Sequence, residues 1–523
     1  MPSLRALILL WIPASIAAAA VLVPIFYLFL RAFSNTASLW EVVLRPANLE
    51  ILGSTAWLGI GVTLLSMMIA LPLAWLTVRT DLPLRKLWLL ITPLPLVIPS
   101  YVGAYLFASA LGPRGLLQGW LEGVFGVTRL PSLYGFPGAL LVLTLLNYPL
   151  MQIGLQAALR RLDPSLEEAS HSLGYGPWQT FWRVIFPQLL PSMTMGSILI
   201  LLYVLRDFGA VSVMRYTTFT RAIYIQYQSL FDRSSAAALA ILIVLLSLFL
   251  VIVVGKTRGR SRYYIGNKST KPPDRKKLGR WRWPALFFCL ATVILALIIP
   301  AGVLLYWLIR GLGAGESLAG LWQPSLNSVI TSAVAATFAL LAALTVAILD
   351  VRKPGRLSRL IERTTYIAYA LPGIVIALAL VFFGSNYLPF IYQTFPMLVF
   401  AYVILFLPQA VGPLRNSLLQ IHPNMEEAAR GLGKRPLAVF RRVTLPLMRP
   451  GMAAAFSLVF LTAMKELPAT LILAPTGFKT LATSVWSAVS EAFFARAAAP
   501  ALLLILASSF SLALVHWQDE VQR

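Results

Sequence analysis

Two carboxylates stand inside hydrocarbon: Asp207 in YVLRDFGAVSVM and Glu466 in FLTAMKELPATLIL, each directly after a base, Arg206 and Lys465. An ionisable group within a membrane helix costs about 2.5–3.5 kcal/mol on insertion scales, so each has to meet a partner or line a wet path. Read as one continuous helix, neighbours in sequence point about 100° apart, so neither pair is a simple local salt bridge. Hard cations favour oxygen ligands, and the oxygens within reach are Asp207 and Glu466, with Tyr101, Tyr105 and Tyr203 as neighbours. Asp207 and Glu466 are thus candidates for transient metal contact, and Arg206, Asp207, Lys465, Glu466, Tyr101 and Tyr105 for a translocation path. An interhelical clamp between two halves of the chain is the structural alternative. The three histidines, His171, His422 and His516, and the single Cys289 form no recognisable cage or nucleophile arrangement, which counts against a membrane enzyme and against a disulfide framework.

A second group of polar residues is written twice. EEASHSLGYGPWQTFWRVIFPQLLP begins at Glu167 and EEAARGLGKRPLAVFRRVTLPLMRP at Glu426. Aligned without gaps at an offset of 259, they match at Glu167, Glu168, Ala169, Leu173, Gly174, Pro177, Phe181, Arg183, Val184, Pro187 and Pro191. The same offset sets Arg206 on Lys465 and Asp207 on Glu466, while Val78-Arg79 meets Val351-Arg352 and Ile98-Pro99 meets Leu371-Pro372 at 273. The difference is an insertion in GPRGLLQGWLEGVFGVTRLPSLYG, from Gly112. In each polar stretch a proline at the first helical position predicts a helix start, with Asp163 as cap in the first copy. Gly174 and Gly433 suit the left-handed residue that ends it, and Pro177 and Pro436 start a second short helix. Leu166, Ala169, Ser170 and Leu173 fall on one stripe; Glu167 and His171 share another face. One expectation is an amphipathic loop packed under its own bundle; duplication favours a paired docking surface instead.

These elements hang on a membrane frame. The chain of 523 residues is 59% hydrophobic and 12% charged, outside the balance of soluble proteins. Apolar runs long enough to cross a core of about 30 Å lie near Leu4 to Leu30, Ile51 to Val78, Leu87 to Leu111, Tyr134 to Leu159, Leu189 to Met214 and Ser234 to Val254. Six more lie near Trp283 to Ile309, Leu326 to Leu349, Tyr366 to Phe383, Phe395 to Leu418, Gly451 to Leu473 and Ala497 to Trp517. The N-terminal run outlasts a signal h-region and is read as a retained span. Pro93, Pro95, Pro99 and Pro372 interrupt their spans and free carbonyls that need other partners, which suggests a hinge or a fixed kink.

The net charge of +24 is concentrated at the membrane edge. Lys256 to Arg282 holds eleven Lys or Arg against one Asp, the pattern of a cytoplasmic loop touching anionic lipid. No binding motif accompanies it, so nucleic acid is not an expected partner. The division read from sequence is 1–255, a linker 256–282, and 283–523, with the polar loops at about 162–191 and 421–450. Six spans per half place both termini, the linker and both loops in the cytoplasm, and relate the halves by an axis along the membrane normal. GNKST at Gly266 and GFKT at Gly477 lack the phosphate-loop spacing. No cofactor is expected on this chain.

The pattern E-E-A, three residues, Leu-Gly, then a Pro-Leu-rich tail resembles the EAA loop of ABC importer permeases with the type I importer fold. PLVIPSYVGAYLF, LRDFGAVSVM and MKELPATLILAPTGFKTLATSVW resemble the fused permeases of ferric-iron importers. The resemblance implies an all-α polytopic fold of about twelve transmembrane helices in two homologous six-helix halves. It implies a bacterial inner-membrane permease for iron(III), without enzymatic activity of its own. Its partners would be a cytoplasmic ABC ATPase, as a homodimer carrying ATP and magnesium, and an external or periplasmic substrate-binding protein. By the match, Glu167, Glu168, Ala169, Gly174, Glu426, Glu427, Ala428 and Gly433 would couple to that ATPase. Ser172 stands where the family more often has Gly, as Gly431 in the second loop. Thiamine, oxyanions and phosphonates are the alternative cargoes; a secondary transporter is the alternative class.

Overall fold

The apolar runs become helices because only a helix satisfies every backbone N–H and C=O within the segment when no water is present. The structure is a computed structural model describing residues 4–33, 45–113, 115–127, 130–228, 233–260 and 275–521; most of the basic linker, with GNKST, lies outside them. Among the described residues the fold is helical, with one isolated bridge pairing Thr80 and Lys276. Among the described residues eight helices are long and apolar enough to cross a bilayer, and a ninth candidate is the bent pair Arg85–Val97 with Ser100–Phe125. Shorter apolar helices cover Ser235–Leu250, Gly373–Tyr387 and Phe494–Ser509. Each of the twelve expected segments falls on one of these.

Two expected spans are shorter than read. The helix Phe186–Arg206 stops before Asp207 and a new short helix, Gly209–Val213, begins; Leu445–Met464 stops before Lys465 and is followed by Pro468–Leu473. Asp207 and Glu466 therefore sit at breaks, and the 100° argument drawn from a continuous helix does not apply to them. Pro99 and Pro372 are breaks as well, with extended backbone at φ −59°, ψ 143° and φ −62°, ψ 147°. Each starts a helix, Ser100–Leu111 or Gly373–Tyr387, as proline does where its missing N–H is not needed. In the first half a break is braced: Tyr148 donates to the Thr92 carbonyl at 2.6 Å, and Gln152 to the Thr92 hydroxyl at 2.6 Å.

The chain forms two compact units, and neither equals a sequence half. One gathers 1–45, 223–244 and 310–523; the other gathers 46–222 and 245–309. In the first unit the helix Leu4–Phe33 packs on Trp322–Arg352 and Gly373–Tyr387. There Tyr27 accepts from Asn386 at 3.0 Å, and its ring lies 6.0–6.4 Å from those of Phe382, Phe383 and Tyr387. In the second unit the helical segment through Arg282–Val293 packs on Pro46–Arg79, and Trp307 donates to Ser109. The leading helix of each half thus belongs to the unit built mainly from the other. Small residues permit the close helix packing: Ala335, Ala339, Ala343 and Ala347 recur every four residues and are fully buried.

Candidate functional site

The two polar loops fold alike. Asp163 accepts from the Ser165 N–H at 3.0 Å and His422 from Asn424 at 3.3 Å, capping the helices Pro164–Ser172 and Pro423–Gly431. Gly174 and Gly433 take φ of +81° and +75°, the left-handed turn that lets Tyr175 and Lys434 bond back to Ser170 and Ala429. Each then enters a short helix, Pro177–Thr180 or Pro436–Val439, and a single π turn, Phe181–Ile185 or Phe440–Thr444. The π turns run without interruption into Phe186–Arg206 and Leu445–Met464, so each loop is the rigid foot of a long helix.

The loop helices are amphipathic in the inverse sense. Leu166, Leu173 and Trp178 in the first loop are 46%, 76% and 72% exposed, and Met425, Leu432 and Leu437 in the second 48%, 80% and 67%. Glu167 and Glu426 are buried. The apolar stripe read from sequence faces outward except at Ser170, which is buried and 2.9 Å from the Thr180 hydroxyl. This geometry disfavours a loop packed under its bundle by that stripe, and it presents two matched apolar shoulders. Glu168, Ala169, Gly174, Glu427, Ala428 and Gly433 are exposed beside them.

The buried glutamates are anchors. Glu167 pairs with Arg79, the fully buried last residue of Pro46–Arg79, and Glu426 with Arg352, the last of Trp322–Arg352, at 3.0 Å. Thr444 donates to the same Glu426 oxygen at 2.9 Å, and Arg352 also donates to the Ile421 carbonyl at 3.1 Å. The second cations differ: Arg430 Nη2 lies 3.8 Å from Glu426 Oε2, whereas Lys276 Nζ lies 3.5 Å from Glu167 Oε2. Burial, then the charge of Arg79, lowers the proton affinity of Lys276. From sequence Arg79 and Arg352 stand out only as matched positions, with no partner assigned to either. Their match at an offset of 273 was the signal that could have found them, whereas Lys276 left none.

The intramembrane carboxylates are built in parallel. Asp207 Oδ1 accepts from the N–H groups of Ala210 and Val211 at 2.9 and 3.4 Å, and Glu466 Oε1 from Ala469 at 3.1 Å. Each carboxylate offsets the positive end of the short helix that follows it. Ser100 bonds Asp207. The matched residue is Gly373, where a Cβ would stand 2.5 Å from Glu466 Oε1. Asp with Ser in one unit, and Glu with Gly in the other, fill the same corner. Each of these contacts joins residues of one sequence half and braces a helix break. Tyr101 and Tyr105 are buried on Ser100–Leu111, while Arg206, Lys465 and Glu466 are half-buried. Among the described residues no group of three His, Cys, Asp or Glu converges as a metal cage.

Comparison with known proteins returns the same duplication. The family described as binding-protein-dependent transport system inner membrane component matches residues 68–260 and again 335–521. The chain is 37% identical, over 93% of its length and 93% of the relative's, to the Fe(3+)-transport system permease protein FbpB 2 of Haemophilus influenzae. It is 25% identical over 81% of its length to the ferric transport system permease protein FbpB of Actinobacillus pleuropneumoniae, spanning 64% of that protein. The molybdenum transport system permease protein ModB of Escherichia coli is 31% identical over 38% of this chain.

Proposed function

Because the chain belongs to the binding-protein-dependent transport system inner membrane components, we propose that it is the permease of an iron(III) importer driven by a separate ATPase. The observation that carries the cargo is the near full-length similarity to a permease named for Fe(3+); the molybdenum permease covers less than half of this chain. The outward shoulders at Leu173 and Leu432 support an ATPase on the cytoplasmic side, probed twice by one symmetric partner pair. Nucleotide and magnesium chemistry belong to that partner. An external binding protein delivers cargo to the opposite face. The membrane is the bacterial inner membrane, with both termini on the basic, cytoplasmic side.

The buried ion pairs give this reading a mechanism. Force on the first loop reaches Pro46–Arg79 through Glu167 and Arg79, and reaches Phe186–Arg206 through the π turn. The second loop drives Trp322–Arg352 and Leu445–Met464 in the same way. Drawing the two loops together therefore moves two helices per loop and alternates access to the path. Asp207 and Glu466 lie where those helices end, and Glu466, the less buried, is the better placed to meet passing cargo. Iron bound by Asp207 would have to compete with two backbone N–H groups.

The deciding experiment is uptake of radioactive iron(III), with and without excess thiamine, in cells lacking and then regaining the gene, beside a Glu466→Gln variant. Uptake that follows the gene and ignores thiamine supports iron, and a fall in the variant supports the path role. Uptake indifferent to the gene refutes iron as cargo.

A further inference from the structure

A buried carboxylate offers two oxygens, and in each loop the arginine at the helix end pairs with Oε1 while a second cation faces Oε2. In the second loop the remaining oxygen of Glu426 meets Arg430, from the loop's own helix one turn on. The matched residue in the first loop is His171, which is exposed, with Nδ1 3.1 Å from the Tyr175 carbonyl oxygen. The cation that reaches Glu167 comes instead from a segment far away in sequence, at Lys276. That segment is fastened by its backbone. Lys276 N–H donates to the Arg79 carbonyl at 2.8 Å, Asp81 N–H to the Lys276 carbonyl at 3.3 Å, and Leu278 N–H to the Asp81 carboxylate at 2.9 Å. It thereby caps a helix C-terminus whose last carbonyls lack intrahelical donors. Trp75 supplies a platform: Lys276 Nζ lies 5.6 Å and Arg79 Cζ 5.8 Å from its ring centre. The matched residue in the second half is Ile348.

We propose that Lys276 is a positioning residue for the first loop helix, doing for Glu167 what Arg430 does for Glu426, so that the linker joining the two halves holds one of the two drive points. The loops are then unequal by construction. One is locked by its own sequence, and the other by a strap that enters from the linker. This rests on the reading that the loops couple to an ATPase, but the positioning itself is a property of this chain alone and is measured without any partner.

The test is hydrogen exchange on the whole chain in lipid nanodiscs, following amides of 164–175 and 423–434. Lys276→Gln is expected to speed exchange in the first loop about three- to five-fold, the effect of losing one partly screened ion pair, and to leave the second loop unchanged. Arg430→Gln should do the reverse. His171→Arg, which writes the second loop's cation into the first, should restore the Lys276→Gln variant, and Lys276→Arg should behave as the parent. An unchanged first loop in Lys276→Gln, equal loosening of both loops, or failure of His171→Arg to restore protection would overturn the proposal. With the ATPase added, transported cargo per ATP should fall in Lys276→Gln and recover with His171→Arg. If exchange responds as expected and cargo transported per ATP does not, the positioning stands and the coupling reading fails.

Discussion

At the scale of single residues, the two adjacent glutamates of each loop do opposite work. Glu167 and Glu426 face inward to an arginine, and Glu168 and Glu427 face out. Removing one partner of a buried pair leaves a charge without compensation, at a cost of about 3–5 kcal/mol. Glu167→Gln should therefore lower the unfolding temperature of the purified chain and abolish uptake, while Glu168→Gln leaves the unfolding temperature within experimental scatter. Equal melting curves for the two variants would mean that Arg79 finds another partner. The corner at Gly373 allows a sharper test. Gly373→Ser places a Cβ against Glu466 Oε1 and should cost about 1–3 kcal/mol by overpacking. Adding Glu466→Asp recreates the Asp207–Ser100 pair, and the double variant should regain most of the lost stability. A double variant no more stable than Gly373→Ser would show that the two corners are not interchangeable.

At the scale of elements, the loop helices matter for what they leave uncovered. Leu173 and Leu432 are exposed beyond any need of this chain's own packing, so charging them should not disturb the fold. Leu173→Asp with Leu432→Asp is expected to melt as the parent does and to lose co-purification with the ATPase; retained co-purification would move the docking surface elsewhere. The corner after each helix is set by a glycine at positive φ, and the Gly433 N–H donates to Arg430 at 2.9 Å. Gly433→Pro removes that donor and forbids the conformation. Uptake should fall by more than tenfold with the spans intact, as read by uptake beside circular dichroism; normal uptake would count against a rigid corner.

At the scale of the whole molecule, each compact unit contains helices from both halves of the sequence. Cutting the chain within 261–274 leaves two fragments that both contribute to each unit. Co-expressed, they should purify together through a tag on either one, and each alone should be degraded or aggregate. Fragments that purify separately as stable proteins would contradict the exchanged packing of Leu4–Phe33. Duplication also explains why so few residues carry the candidate site: each feature is built once and copied, and the copies differ where the local partner differs, as at Ser100 and Gly373.

The sequence alone determined the membrane class, the duplication, the order of spans and the two loops, because apolar length, glycine and proline act locally and leave local marks. It also singled out Asp207 and Glu466, since charge inside hydrocarbon is conspicuous. Only the tertiary structure decided what those groups touch. Asp207 proved to cap a helix because the span breaks at it, and no local pattern distinguishes a charge within a helix from one at its end. The inverted faces of the loop helices, the Arg79 and Arg352 anchors and the reach of Lys276 join residues 74 to 197 positions apart. A repeat spacing marks Arg79 and Arg352 but names no partner, because which buried charge meets which is fixed by the packing that brings the helix ends together.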